Sequence, residues 1–329
     1  MVPAREAFLA ADVLAARSDN PSAFLALNKG NMQFTDGNRA GVVVYRPAGR
    51  YLMQFGGPFA AAADYAPLLE AFLRFAAAQR RRVVAVQLQH RDAEQYARHG
   101  FTVNQMGASY AVHLPDFSLR GGKFMRLRNK VSRALRAGLK VTECEPGQGL
   151  DQLDAIDRDW LRGKGRHARP LQFLVGEHDG PLQAKRRVFL AALDDEPIGY
   201  VSYAPVYGSR PGWLHDLSRR RAAAPPGVME AINTAAIEAF RSERAEWLHF
   251  GFTPFVGLDE SLETPAAGRG VGRIIRFLSE HGERLYPSAT QLAYKEKWGP
   301  HVVLPEYIAF HGRPRLGAVW RLARVTNAV

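Results

Sequence analysis

Alternating apolar and polar positions mark the strands of this chain, and apolar residues recurring every three to four positions mark its helices. In the first half, GVVVYR (41–46) and YLMQF (51–55) read as two strands, and an apolar-periodic helix follows from Tyr65 to Arg80. A buried strand VVAVQLQ (83–89), a short helix from Ala93 to Arg98 and a strand from Ser109 to Leu114 complete a ββαβαβ order. In the second half, RRVFLAAL (186–193) and PIGYVSYAPV (197–206) predict a hairpin across DDEP. GWLHDLS (212–218) reads as a strand, Gly227 to Arg241 as a helix, and EWLHFGF (246–252) as a closing strand. A ββαβ order therefore occurs twice without a sequence repeat, which predicts an α/β (α+β) protein of two duplicated lobes. The length of 329 residues also suits two lobes. The boundary is expected near 145, with residues 1–145 as the N-terminal lobe and 146–329 as the C-terminal lobe carrying the active site.

Hairpin, strand, helix, strand is the order of the GNAT acyltransferase fold, so the expected architecture is a tandem of GNAT-like acyltransferase lobes. A basic helix over 121–138, followed by another near 150–162, joins them. The stretch GGKFMRLRNKVSRALRAGLKV (121–141) carries Lys123, Arg126, Arg128, Lys130, Arg133, Arg136 and Lys140, and no acidic side chain. On a helix, Arg126, Asn129, Lys130, Arg133, Arg136 and Lys140 share one face. Phe124, Leu127, Val131, Leu135 and Gly138 share another, and Gly138 suits the C-terminal cap. A solvated face normally mixes signs to avoid repulsion between turns. An all-cationic face predicts a phosphate-rich partner, RNA or phospholipid headgroups, with a merely solvated face as the alternative.

Composition adds a weaker signal. The net charge is +12, but only 8 of the 44 basic residues are Lys, and an Arg-rich, Ala-rich chain also results from codon bias. No run of about 18 apolar residues is present, and Arg5, Glu6 and Asp12 interrupt the N-terminus, so a cytoplasmic protein is expected. The single cysteine, Cys144, excludes an intramolecular disulfide and lies in KVTECEP without an activating neighbour. His167, His178, His281, His301 and His311 show no metal-ligating spacing, so no metal is expected.

Two stretches concentrate candidate chemistry. In WLHDLSRRRAAAPPGVMEAINTAAIEAF (213–240), Asp216 and Arg219 end a strand that leads into the helix opened by Pro226 and Gly227, where open α/β sheets place ligands. Near the C-terminus, YKEKWGPHVVLPEYIAF (294–310) sets Lys295 and Lys297 on alternate positions, which in an extended segment point the same way.

Together these stretches resemble the cytosolic catalytic domain of the bacterial aminoacyl-phosphatidylglycerol synthases, the phosphatidylglycerol lysyltransferase (multiple peptide resistance factor) family. The family's V-D-L-M-R corresponds to His215-Asp216-Leu217-Ser218-Arg219, and its Pro with G-V-M-D/E to Pro226-Gly227-Val228-Met229-Glu230. Its L-G-M-A-P-L corresponds to FGFTPFVGL, and its F-K-x-K-F-x-P-x-W to Tyr294-Lys295-Glu296-Lys297-Trp298-Gly299-Pro300. FGGPF, QYARHGF and MGASYAVHLPDFSLRGGKFMRLRNKVSRALRAGL are similar to first-lobe motifs, so the resemblance spans about residues 25–312.

The resemblance implies a tandem GNAT fold whose enzyme takes an amino acid from aminoacyl-tRNA and esterifies it to a lipid hydroxyl, using no metal and no CoA. It places Asp216 and Arg219 near the aminoacyl group and puts Lys295 and Lys297 on the K-x-K motif; His215, Tyr203, Gly227, Glu230 and Tyr294 are the candidate substrate-binding residues around them. Lys123, Arg126, Arg128, Lys130, Arg133 and Arg136 would contact tRNA phosphates. The family's acidic G-E-E is GAS at Gly107–Ser109 here, its Trp after the K-x-K is Val302, and RPLQFLVGEHD lacks a Glu. These losses argue against lysine as cargo. No counterpart of the family's membrane-spanning flippase half is expected, so the expected acceptor is either an anionic lipid, reached by peripheral contact at the inner membrane face, or a small soluble metabolite.

An aminoacyl ester is already activated, so the site needs mainly to position the acceptor and stabilise an oxyanion. Lys295 or Lys297 suits the oxyanion or a terminal phosphate, Asp216 the donor's α-ammonium, and Arg219 the orientation of Asp216. Structural alternatives stand beside each: an i,i+3 ion pair of Asp216 with Arg219, a solvated lysine pair, and a satisfied core His215. RGVGRI (269–274) imitates the pyrophosphate loop of CoA-dependent acyltransferases but follows the closing strand. An acyl-CoA-dependent N-acyltransferase and a non-catalytic RNA- or membrane-binding module are the other functions considered.

Overall fold

The computed structural model describes residues 4–164, 169–180, 182–282 and 287–328. His167 lies outside them. In chain order the strands are β1 (Met32–Phe34), β2 (Gly41–Ala48), β3 (Tyr51–Ala60), β4 (Arg82–Leu88), β5 (Phe101–His113), β6 (Lys140–Cys144), β7 (Arg187–Leu193), β8 (Glu196–Val206), β9 (Gly212–Arg220), β10 (Trp247–Pro254) and β11 (Val302–His311). The α-helices are α1 (Ala4–Arg17), α2 (Ala62–Ala78), α3 (His90–Arg98), α4 (Met125–Arg136), α5 (Leu150–Arg162), α6 (Val228–Ser242), α7 (Arg269–His281), α8 (Ser288–Glu296) and α9 (Leu316–Val325).

The duplication is visible in the strand pairing. β2 and β3 are antiparallel, and α2 then carries the chain over to β4, parallel to β3. β8 and β9 are antiparallel, and α6 likewise leads to β10, parallel to β9. A parallel neighbour requires such a crossover, which is why one long helix follows each hairpin. The β7–β8 hairpin turns on Asp194 and Asp195, both at positive φ of 51° and 63°, the backbone of a tight two-residue turn.

The two halves then exchange their last strands. β5 leaves the first half to pair with β10, β11 returns from the second half to pair with β4, and the two exchanged strands pair with each other. One mixed sheet of eleven strands results, in the order β1-β2-β3-β4-β11-β5-β10-β9-β8-β7-β6. This is the α/β architecture of tandem GNAT-like lobes, closed through a shared centre. β11 is not among the strands expected from the sequence, and its Pro305 has no N–H to donate to a ladder. At its start, however, β11 pairs only with β5, and pairing with β4 begins at Tyr307, so the proline nitrogen sits on an unpaired edge.

Helices cover both faces. Phe189, Ala191, Val201 and Tyr203 pack toward α6, whereas the alternating Val188, Leu190 and Tyr200 pack toward α5. α4 lies against α6 through Leu127, Val131 and Ala134. Leu135, expected on the apolar face, is exposed, whereas Ala134 is buried where α4 closely approaches the start of α6. That closeness is set at Gly227, whose φ is +99° and whose added Cβ would lie 2.5 Å from the Lys130 carbonyl oxygen.

Candidate active site

Gly227 caps α6 in the left-handed region, and the helix places Glu230 in its first turn, where the helix dipole favours a carboxylate. Lys297 Nζ donates to Glu230 Oε1 at 2.8 Å, and Lys130 Nζ, reaching across from α4, lies 3.5 Å from the same oxygen. Burial alone would push the Glu230 carboxyl up, but the Lys297 hydrogen bond and the two lysine charges hold it below the usual carboxylate range. Burial pushes Lys297 down, and its ammonium also sits 3.7 Å from the centre of the Tyr294 ring.

One turn further along α6, the fully buried Asn233 gathers the remaining polar groups. Its Nδ2 donates to the Met229 carbonyl at 3.1 Å and to the Tyr294 hydroxyl, which orients the amide. Its Oδ1 accepts from the Tyr203 hydroxyl at 2.7 Å and faces His215 Nδ1 at 3.1 Å. The amide orientation therefore puts the imidazole proton on Nδ1 and leaves Nε2 with its lone pair. Burial, aided by the Lys295 and Lys297 charges and opposed by the Asn233 hydrogen bond, pushes His215 down to about 3. His215 is thus a neutral imidazole at physiological pH, with a defined tautomer.

Asp216 and Arg219 lie on the α5 face of the same strand. Asp216 Oδ2 accepts from Arg186 Nε at 3.0 Å, with both side chains almost fully buried, and Arg186 Nη2 also donates to Asn28 Oδ1 at 2.8 Å. Gly176 must be glycine here, because an added Cβ would lie 2.1 Å from Asp216 Oδ1. Arg219 stacks on Trp160 at 4.0 Å and lies 3.8 Å from Asp157, which accepts from the Tyr200 hydroxyl at 2.7 Å. The i,i+3 ion pair between Asp216 and Arg219 does not form, since each has a partner from another element. His215 and Asp216 face opposite sides by ordinary strand alternation, and a bulge at Asp216 in the β8–β9 register lets Leu217 join it on the α5 face.

Lys295 and Lys297 also separate. The segment is not extended: Lys295 lies in the last turn of α8 and Lys297 caps it, so the two side chains diverge around the helix. The Gly299-Pro300 pair ends the helix, with Gly299 at φ +63°. Lys295 points into the centre of the sheet, where β10 is bulged between His249 and Phe252, and donates to the Gly251 and Phe252 carbonyls at 2.7 and 3.0 Å. Burial pushes it down to about 7 against the attraction of Glu306, and burial pushes Glu306 up to about 7. Glu306, on the exchanged strand β11, accepts from the Ser109 hydroxyl. Ser109 belongs to the GAS stretch, so a carboxylate from the other half of the chain occupies the neighbourhood of that motif.

The cationic face of α4 divides as well. Lys123, Arg126, Arg133 and Arg136 are exposed. Arg128 instead turns back to the Leu119 and Gly121 carbonyls and secures the loop before the helix. That loop, with Arg128 and the Thr234, Ile237, Glu238 and Arg241 side chains of α6, lines an open cleft beside α4. RGVGRI opens α7 as helix rather than forming a loop between strand and helix. Among the described residues, no group of three His, Cys, Asp or Glu side chains is placed to hold a metal ion.

The sequence profile of the family described as "Phosphatidylglycerol lysyltransferase, C-terminal" matches residues 10–310. This chain belongs to that family. A phosphatidylglycerol lysyltransferase of Bacillus subtilis (strain 168) is 23% identical over 270 residues, covering 81% of this chain and 30% of the relative. The chain thus spans less than a third of that relative's length. Among solved structures, the C-terminal domain of a putative lysylphosphatidylglycerol synthetase from Agrobacterium fabrum superposes with a TM-score of 0.79 at 24% identity, covering 99% of this chain and 96% of that one. L-PGS from Bacillus licheniformis does so with a TM-score of 0.80 at 18% identity, covering 98% and 97%. Both share the fold of this chain.

Within the family fold, Tyr203, His215, Glu230, Tyr294 and Lys297 meet Lys130 in one network, whereas Asp216 and Arg219 lie on the other face, each with its own partners. Asn233, Arg186, Asp157 and Glu306 escape sequence reading. Glu306 carried the clearest signal, an acid inside the apolar run VVLPEYIAF.

Proposed function

We propose that this chain is an aminoacyltransferase that moves an amino acid from aminoacyl-tRNA to a hydroxyl or amine of an acceptor, a phosphatidylglycerol-like lipid or a small metabolite. The observation that carries the reading is the Glu230 carboxylate, which receives Lys130 from the basic helix and Lys297 from the K-x-K motif. This contact ties a phosphate-binding surface to the candidate site. The exposed α4 cations would bind the tRNA backbone, and the site needs no group beyond its own residues.

In this mechanism the acceptor oxygen attacks the ester carbonyl while His215 Nε2 takes its proton, using the lone pair that the Asn233 contact leaves free. The carbonyl becomes an oxyanion that accepts a hydrogen bond from Lys297, whose orientation Glu230 sets. Collapse breaks the bond to the ribose oxygen, which leaves with the proton returned by His215. Asp216 with Arg186, and Arg219 with Asp157, hold the strand that carries His215 and so act as positioning residues.

Incubating the full chain with a mixed pool of charged tRNA, phosphatidylglycerol and a cell extract, followed by mass spectrometry, tests the reading. The expected result is consumption of charged tRNA only when an acceptor is present, with a matching aminoacylated product. A product that forms with acetyl-CoA and persists after RNase treatment would overturn it.

A further inference from the structure

Five large apolar side chains on two helices of one sheet face remain in solvent. α9 is anchored by Ala318, Leu322 and Val325, and α7 by Val271 and Ile275, all in one core cluster. Their outer sides expose Leu316 at 80%, Val319 at 50% and Trp320 at 54% on α9, and Ile274 at 51% and Phe277 at 61% on α7. Leu316, Val319 and Trp320 stand at i, i+3 and i+4, so they form one stripe. Exposed arginines flank it: Arg313 and Arg315 before the stripe, Arg321 and Arg324 after it. From Tyr307 to the last residue the sequence holds no Asp or Glu. On α7, Arg273 lies beside Ile274 and Phe277.

We propose that α9, with α7 as a second contact, docks this protein on the surface of an anionic phospholipid bilayer. Trp, Leu and Val on one face of a helix, bordered by arginines, match the interfacial position, where the ring and aliphatic groups enter the acyl boundary and guanidinium groups meet lipid phosphates. No helix among the described residues is long and apolar enough to span a membrane, so the contact is one of lying on the surface. A second copy fits less well, because two-fold pairing of this stripe would oppose its own arginines. RNA would use the arginines but leave Leu316 and Val319 without a role. This inference is independent of the active-site reading, and it separates the membrane-facing helix from α4.

The test is binding of the full chain, free of tRNA, to vesicles of phosphatidylglycerol with phosphatidylcholine, and to vesicles of phosphatidylcholine alone. Sedimentation should show binding to the anionic vesicles that weakens with salt, with a blue shift of Trp emission that Trp320→Phe removes while the chain still binds. Leu316→Ser with Trp320→Ser should weaken partitioning by at least about tenfold, with unchanged melting because both positions are exposed. Arg126→Glu with Arg133→Glu on α4 should leave vesicle binding intact. Equal binding to neutral vesicles, loss only in the α4 variant, or Trp320 emission that responds to tRNA and not to vesicles would overturn the proposal. So would a Trp320-dependent dimer with no vesicle binding.

Discussion

Lys297 donates to Glu230 at 2.8 Å while Lys130 lies 3.5 Å from the same carboxylate oxygen, so one acid balances two lysines from different elements. Removing the carboxylate leaves two ammonium groups facing each other and frees Lys297 to rotate. Glu230→Gln and Lys297→Met should each lower kcat by about a hundredfold, the scale of losing one preorganised oxyanion donor. Their double variant should be little worse than either alone, because both changes remove one unit. Single-turnover assays on preformed charged tRNA would read this; fully additive losses would contradict it.

His215 should not titrate in the usual imidazole range. With its folded value near 3, the base stays neutral through mild acid, so the pH profile of kcat/KM should lack an acid limb near the ordinary histidine value. Asn233→Asp would replace the neutral amide with a carboxylate, favour the imidazolium and raise the histidine. The acid limb should then move up toward the physiological range, which a pH series on both proteins measures.

Asp216 and Arg186 form an almost fully buried pair, and breaking such a pair leaves one uncompensated charge. Asp216→Ala and Arg186→Met should each destabilise the fold by about 3–5 kcal/mol in denaturant titrations. If Asp216 instead touches the substrate, Asp216→Asn should abolish turnover with a much smaller loss of stability than Arg186→Met. The two measurements on the two variants distinguish positioning from contact.

Gly227 keeps α4 against α6. A methyl group there meets the Lys130 carbonyl at 2.5 Å on a backbone with φ of +99°, so Gly227→Ala must either strain the cap or push the basic helix away. A loss of about 2 kcal/mol is expected, with weaker tRNA binding because the displaced α4 no longer holds its cations in place against the site. Thermal melting and filter binding report the two effects separately.

Short-range information was legible in the sequence to different depths. The ββαβ repeats, the α4 amphipathic face and the Asp194–Asp195 hairpin follow from spacing and turn chemistry within a few residues, and they appear as expected. The lysines of the K-x-K motif stand on alternate positions, as in a strand, but lie at the end of a helix that Gly299 and Pro300 terminate. Tyr203, His215, Glu230, Tyr294 and Lys297 are candidates in the sequence, but the Asn233 that joins Tyr203, His215 and Tyr294 is not, since a single Asn in a helix carries no periodic signal.

By itself the sequence determined the strands and helices of the ββαβ repeats, where the cationic face lies and which residue types can perform acyl transfer. These depend on side-chain period, capping and charge, all local properties of the chain. Only the tertiary structure decided that β5 and β11 change places and that Lys295 reaches the bulged sheet centre beside Glu306. Those outcomes rest on pairings between segments more than a hundred residues apart and on bulges that reverse side-chain alternation, and neither leaves a mark in the local pattern.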